Sequence, residues 1–233
     1  LCTIGTTELR RPIPAYLLGS RKKQTLFVGG VHALEQLTVL VCLRFVEDLL
    51  YHRDTPEGEL LAQALEECGL IVVPCLNIDG MEMQKKGSAA ALEYQDMVDY
   101  VSHYDISTWQ ANARGVDLNH NYAAGYTRLK EQEIAAGICG PSPTRYGGER
   151  AESERETQAI VSLCRRHSIR QLYAFHSQGE EIYYRYGIHT PRCSRAMGEK
   201  LAEACGYTLC DPEGMASHGG MKDWFIETFH RPA

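Results

Sequence analysis

Three short apolar runs, each ending where a glycine, proline or polar turn begins, constrain the fold of this chain most. They are Thr25-Leu26-Phe27-Val28-Gly29-Gly30, Leu70-Ile71-Val72-Val73-Pro74-Cys75 and Leu172-Tyr173-Ala174-Phe175. Their length and their β-branched and aromatic content predict buried strands. Two helical patterns separate the first run from the second. One extends from Leu34 to about Tyr51. The other opens on Thr55 as a cap, Pro56 at the first helical position and Glu57 in the first turn, and ends at Gly69. Strand, helix, helix, strand is the start of an α/β layering. Ile13 to Leu18 and Glu181 to Tyr186 read as further strands. Further helices are predicted from the capping box Ser153-Glu154-Arg155-Glu156 to near His167, from Thr190-Pro191 to near Gly206, and over roughly Met221 to His230. The stretch from about Asn77 to Glu149 has little periodicity and reads as long, functional loops. No repeat or linker divides the chain, so residues 1–233 are taken as one domain.

Composition removes several function classes. The net charge of −6 and the shortness of the basic clusters Arg21-Lys22-Lys23 and Arg165-Arg166 leave no surface for a phosphate backbone, so no nucleic-acid partner is expected. No stretch approaches the roughly 20 apolar residues of a membrane span, and no leader pattern is visible. The nine cysteines are odd in number and form no C-x-x-C pair. They favour a reduced, cytoplasmic protein, with an exported chain trimmed of its leader as the alternative. Oligomeric state is not legible.

The chemistry concentrates at strand ends. His32-Ala33-Leu34-Glu35 follows Gly29-Gly30, and a histidine and a glutamate three apart on one side of a first helical turn reach one ion. Open α/β sheets place ligand sites at such strand ends. Catalytic zinc commonly takes three protein ligands and leaves a fourth position for water. His176 supplies the third ligand best, because it also ends a buried strand and leads into Ser177-Gln178-Gly179. His52, His167 and His230 sit at helix C-terminal ends, where a cation meets the dipole, and need no further role.

These motifs, taken in order, resemble the zinc carboxypeptidases of the carboxypeptidase A type. They read His32-Ala33-Leu34-Glu35, Asn77-Ile78-Asp79-Gly80, Gly115-Val116-Asp117-Leu118-Asn119-His120-Asn121, His176-Ser177-Gln178-Gly179 and Gly220-Met221-Lys222-Asp223-Trp224. The pattern is most similar to the bacterial branch acting on peptidoglycan-derived peptides, which includes γ-D-glutamyl-diaminopimelate peptidases. The resemblance implies a mixed, mostly eight-stranded twisted sheet with helices on both faces. It also implies one Zn2+ held by His32, Glu35 and His176, and a peptide substrate. Zinc in that family polarises the scissile carbonyl and lowers the pKa of its water, while a glutamate moves the proton to the leaving amine. An arginine steadies the oxyanion, and Arg114 is the candidate.

The sequence departs from the pattern in places. Where the exopeptidases carry an Asn-Arg pair that grips the C-terminal carboxylate, this chain carries Asn119-His120. Imidazole lacks arginine's bidentate fork, so a substrate whose carboxylate sits elsewhere, or an amidase or endopeptidase role, is the expectation. Lys222, before Asp223-Trp224, is expected to favour an acidic or diaminopimelate-type leaving residue. The family's mobile tyrosine has no clear counterpart within Asp211 to His218, where His218 is the substitute weighed. The general base falls on a last strand after Arg231-Pro232-Ala233, roughly thirteen residues past Trp224 and outside the sequence. The 233 residues alone are therefore expected to bind zinc, hydrolyse poorly and lack one strand's worth of stability. Two other functions fit the same motifs less well: an N-acyl amino acid deacylase, and a non-catalytic peptide-binding module.

Overall fold

A computed structural model describes residues 1–51, 55–211 and 217–233. The main sheet has five strands: β1 (Cys2–Thr6), β2 (Pro12–Leu18), β3 (Gln24–Val28), β4 (Gly69–Val73) and β5 (Ile169–Ala174). Their spatial order is β1-β2-β4-β3-β5. β2 runs antiparallel to β1 and β4, whereas β3 is parallel to both β4 and β5. A separate parallel pair joins β6 (Glu181–Tyr183) to β7 (Thr208–Cys210). The α/β class and the mixed sheet agree with the sequence reading. Among the described residues the main sheet has five strands, a partial count compatible with the expected fold.

Side-chain alternation along the strands explains the layers. Leu26, Val28, Ile71 and Val73 face one core, built with α6 (Arg155–Arg166) and α8 (Met221–Phe229). Phe27, Leu70 and Val72 face the other, closed by α1 (Gln36–Tyr51) and by Leu65 of α2 (Pro56–Glu67). A third cluster, around Met83, Val98 and Trp109, packs the segment that follows β4. Thr55 caps α2 through Gly58 N–H, as its sequence predicts.

Several expectations are corrected. The 77–149 stretch is not loop throughout, because it holds α3 (Ile78–Lys86), α4 (Gln95–Ser102) and α5 (Tyr126–Ala135). These helices bury only a few residues each, so the sequence carries little apolar period there. The cap of α6 is Glu154, whose N–H is held by Asn121 Oδ1, and Ser153 instead donates to Glu154 Oε1. Thr190 does not cap α7 (Cys193–Cys205). Its hydroxyl accepts from Tyr186 N–H and donates to Tyr186 O. The strand read over Glu181 to Tyr186 stops at Tyr183, and β1 and β7 lay outside the sequence reading. His52 lies outside the described residues. His167 stands at the C-terminal end of α6 as expected; burial, with Arg166 and Arg21 nearby, lowers its pKa, and its ring meets Gln24 Oε1.

The two basic clusters are exposed, and the nine cysteines are free thiols. No described helix is long and apolar enough to cross a membrane.

Candidate metal centre

Parallel pairing of β3 with β5 sets Val28 beside Ala174, so both strands deliver their C-terminal ends to one place. Phe175 N–H donates to Val28 O at 2.9 Å, which fixes the chain just before His176. After β3 the backbone turns at Gly30, whose φ of 56° suits glycine, and a Cβ there would meet Val39 Cγ2 at 2.9 Å. His32 to Glu35 form a single turn closed by Glu35 N–H to His32 O. This turn precedes α1 and is not its first helical turn, which corrects the local geometry without moving either side chain off the site. Thr38 Oγ1 then donates to Glu35 O and accepts from Gly30 N–H, locking the turn onto the helix.

The three expected ligands converge. His32 Nδ1 lies 3.1 Å from Glu35 Oε1, and His176 Nδ1 lies 3.1 Å from both Glu35 oxygens. The two Nδ1 atoms are 3.2 Å apart. Donors about 2.1 Å from a tetrahedral zinc stand about 3.4 Å from each other, so these separations fit the edges of such a site. Asp117 Oδ1 accepts from His32 Nε2 at 3.1 Å, which places that ring's proton on Nε2 and frees the Nδ1 lone pair for a metal. Burial works against charge on His32, yet the neighbouring Asp117 and Glu35 raise its pKa to about 10. Burial opposes ionisation of Glu35 as well, and the two imidazoles bring its pKa down to about 2. Asp117 is held far below the usual carboxylate range against its burial, by His120, His32 and the Arg145 N–H. This field favours a cation among the three ligands. Glu35 is buried, while the His176 side chain is 29% exposed, so the cluster opens to solvent on the His176 side.

The other motif residues form the support. Asn77 caps α3 through Gly80 N–H and donates to the carbonyls of Gln110 and Ala111. Gln110 O accepts from Ala33 N–H, beside His32. Asp117 also accepts from the N–H groups of Asn119 and Arg145. Asn119 Oδ1 accepts from Met221 N–H at 3.1 Å, tying Asp117's neighbourhood to α8. His120 Nδ1 stands 3.2 Å from Arg145 O and 3.5 Å from Asp117. Lys222 Nζ donates to Arg185 O and contacts Asp223, and Arg114 pairs with Glu154 at 3.4 Å and Glu8 at 4.0 Å. Neither cation bonds to the metal ligands. His218 stands 3.3 Å from the Tyr186 hydroxyl, and residues 212–216 of the segment searched for a tyrosine lie outside the described residues. Sequence reasoning passed over Asp117 as a site residue, although it lies in the quoted Gly115-Val116-Asp117 motif.

The zinc carboxypeptidase family model matches residues 1–232. The gamma-D-glutamyl-L-diamino acid endopeptidase 1 of Lysinibacillus sphaericus is 31% identical over 234 residues, covering 98% of this chain. This chain spans 58% of that relative's length. The crystal structure of carboxypeptidase A from Helicoverpa armigera shares the fold with a TM-score of 0.72 at 20% identity, over 97% of this chain and 56% of that one. The murein-tripeptide amidase MpaA from Escherichia coli O157 gives 0.57 at 22% identity, over 97% and 77%. Since the family match runs almost from end to end, this chain belongs to the zinc carboxypeptidase family.

Proposed function

We propose that this chain forms the zinc-binding body of a peptidase that cleaves an amide beside an acidic or diaminopimelate-type residue in a cell-wall-derived peptide. The observation that carries the reading is the convergence of His32, Glu35 and His176 with Asp117 fixing the tautomer of His32. Bound zinc supplies Lewis-acid polarisation of a carbonyl and a more acidic water. The chain's own residues hold that ion and position the peptide. Substrate contact is assigned to Asn119, His120 and Lys222, which run from Asp117 to the first turn of α8. The substrate class is supported by the names of two relatives, a gamma-D-glutamyl-L-diamino acid endopeptidase and a murein-tripeptide amidase.

The test is zinc content and hydrolysis of murein tripeptides by the full-length protein. One zinc per chain and hydrolysis stopped by a chelator are expected. Zinc-loaded protein that cleaves neither murein peptides nor simple C-terminal substrates would end the peptidase reading.

A further inference from the structure

Three basic side chains near the shell around the metal ligands already have partners. Arg114 pairs with Glu154 and Glu8, Lys222 with Asp223 and the Arg185 carbonyl, and the His120 ring with Arg145 O. Arg145 differs. Its side chain is exposed, and among the described residues no carboxylate lies within ion-pair distance of it. Its backbone, by contrast, is held at both ends. Arg145 N–H donates to Asp117 Oδ2 at 3.0 Å, and its carbonyl lies 3.2 Å from His120 Nδ1. The other oxygen of Asp117 binds His32, so one carboxylate separates the Arg145 backbone from a metal-ligating ring.

The conformation held there is a costly one. Arg145 has φ of 69°, a left-handed backbone that L side chains adopt at a price in strain. His103 and His230 share that sign of φ, but they close α4 and α8, where a left-handed residue satisfies helix-end carbonyls. Arg145 closes no helix. Glycine would relieve the strain at this position, and Gly147 and Gly148 follow only two and three residues later. What arginine adds is a planar guanidinium whose paired N–H donors match a carboxylate.

We propose that Arg145 is a specificity-determining residue whose guanidinium receives a free carboxylate borne by the residue flanking the scissile amide. This rests on the peptidase reading and narrows its substrates to peptides acidic at that residue. Arg145 touches no metal ligand, and Arg145→Gly removes strain, so the variant folds and keeps its zinc.

The experiment compares full-length wild type, Arg145→Gly and Arg145→Lys, all zinc-loaded, on an acidic peptide and on the same peptide with that carboxylate converted to carboxamide. Wild type prefers the acid. Arg145→Gly loses about tenfold to a hundredfold in kcat/KM on the acid, mostly through KM, and little on the amide. Arg145→Lys falls between them, because it keeps the charge without the fork. An unchanged preference in Arg145→Gly overturns the assignment while leaving the peptidase reading intact. If wild type cleaves neither peptide, that broader reading fails, and calorimetric titration with the acidic peptide still decides the contact. Equal affinities for wild type and Arg145→Gly then refute it.

Discussion

Asp117 receives three donors at once, the His32 ring and the N–H groups of Asn119 and Arg145. It therefore sets both a ligand's tautomer and the path of the surrounding loop. Asp117→Asn keeps an acceptor but removes the charge that strengthens His32 as a donor to metal. Zinc affinity, measured against a competing chelator, is expected to fall about tenfold; an unchanged affinity would refute the tautomer argument. Arg114 presents the opposite case. Glu154 is fully buried, accepts from Ser153 and Asn112, and needs the guanidinium's charge. Arg114→Ala is thus expected to cost about 1–2 kcal/mol in denaturant unfolding and leave zinc content unchanged. A loss of kcat alone, with stability intact, would support the oxyanion role expected of Arg114. The three converging candidate ligands were legible because they lie just after apolar runs that end abruptly. Asp117 was not, because its value comes from a histidine 85 positions away in sequence.

Helices and strands were legible where their faces meet the sheet, and obscure where they pack on loops. α1 and α2 carry clear signals, whereas β1 is short and includes Gly5, where a Cβ would come within 2.7 Å of Ala159 Cβ on α6. That close approach needs glycine and removes an apolar residue from the pattern. α6 also carries Glu156 into the interior, fully buried with Oε2 unpartnered. Burial, reinforced by Asp79 and Glu154, raises its pKa to about 8. A carboxyl whose folded pKa exceeds its unfolded value supports the fold fully below the unfolded pKa. Its contribution declines as pH rises from about 4.5 to about 8. Glu156→Gln copies the protonated shape and cannot ionise. Relative to wild type it should gain a few kcal/mol, on the order of two to four, between pH 5 and pH 8 in denaturant unfolding. Parallel stability profiles for the two proteins would show that Glu156 is not held protonated.

The molecule as a whole places its metal ligands on two segments far apart in sequence, the β3–α1 turn and the end of β5. One ion bound there joins β3 to its neighbour β5 at the C-terminal ends of both strands, and it binds only when those strands are paired. Folding and metal binding are therefore linked: any ligand that binds the folded chain alone stabilises it by mass action. Free zinc about a hundredfold above Kd is expected to add about 2.7 kcal/mol, seen as a rise in Tm. Glu35→Ala should abolish the rise because it removes the carboxylate that both imidazoles face. Glu35 is buried against two histidines, so this variant also relieves them of a charge they share, and its metal-free Tm must be compared with that of metal-free wild type. If zinc raises the Tm of Glu35→Ala as much as that of wild type, the stabilising ion sits elsewhere, and the three-ligand centre at the strand ends is refuted.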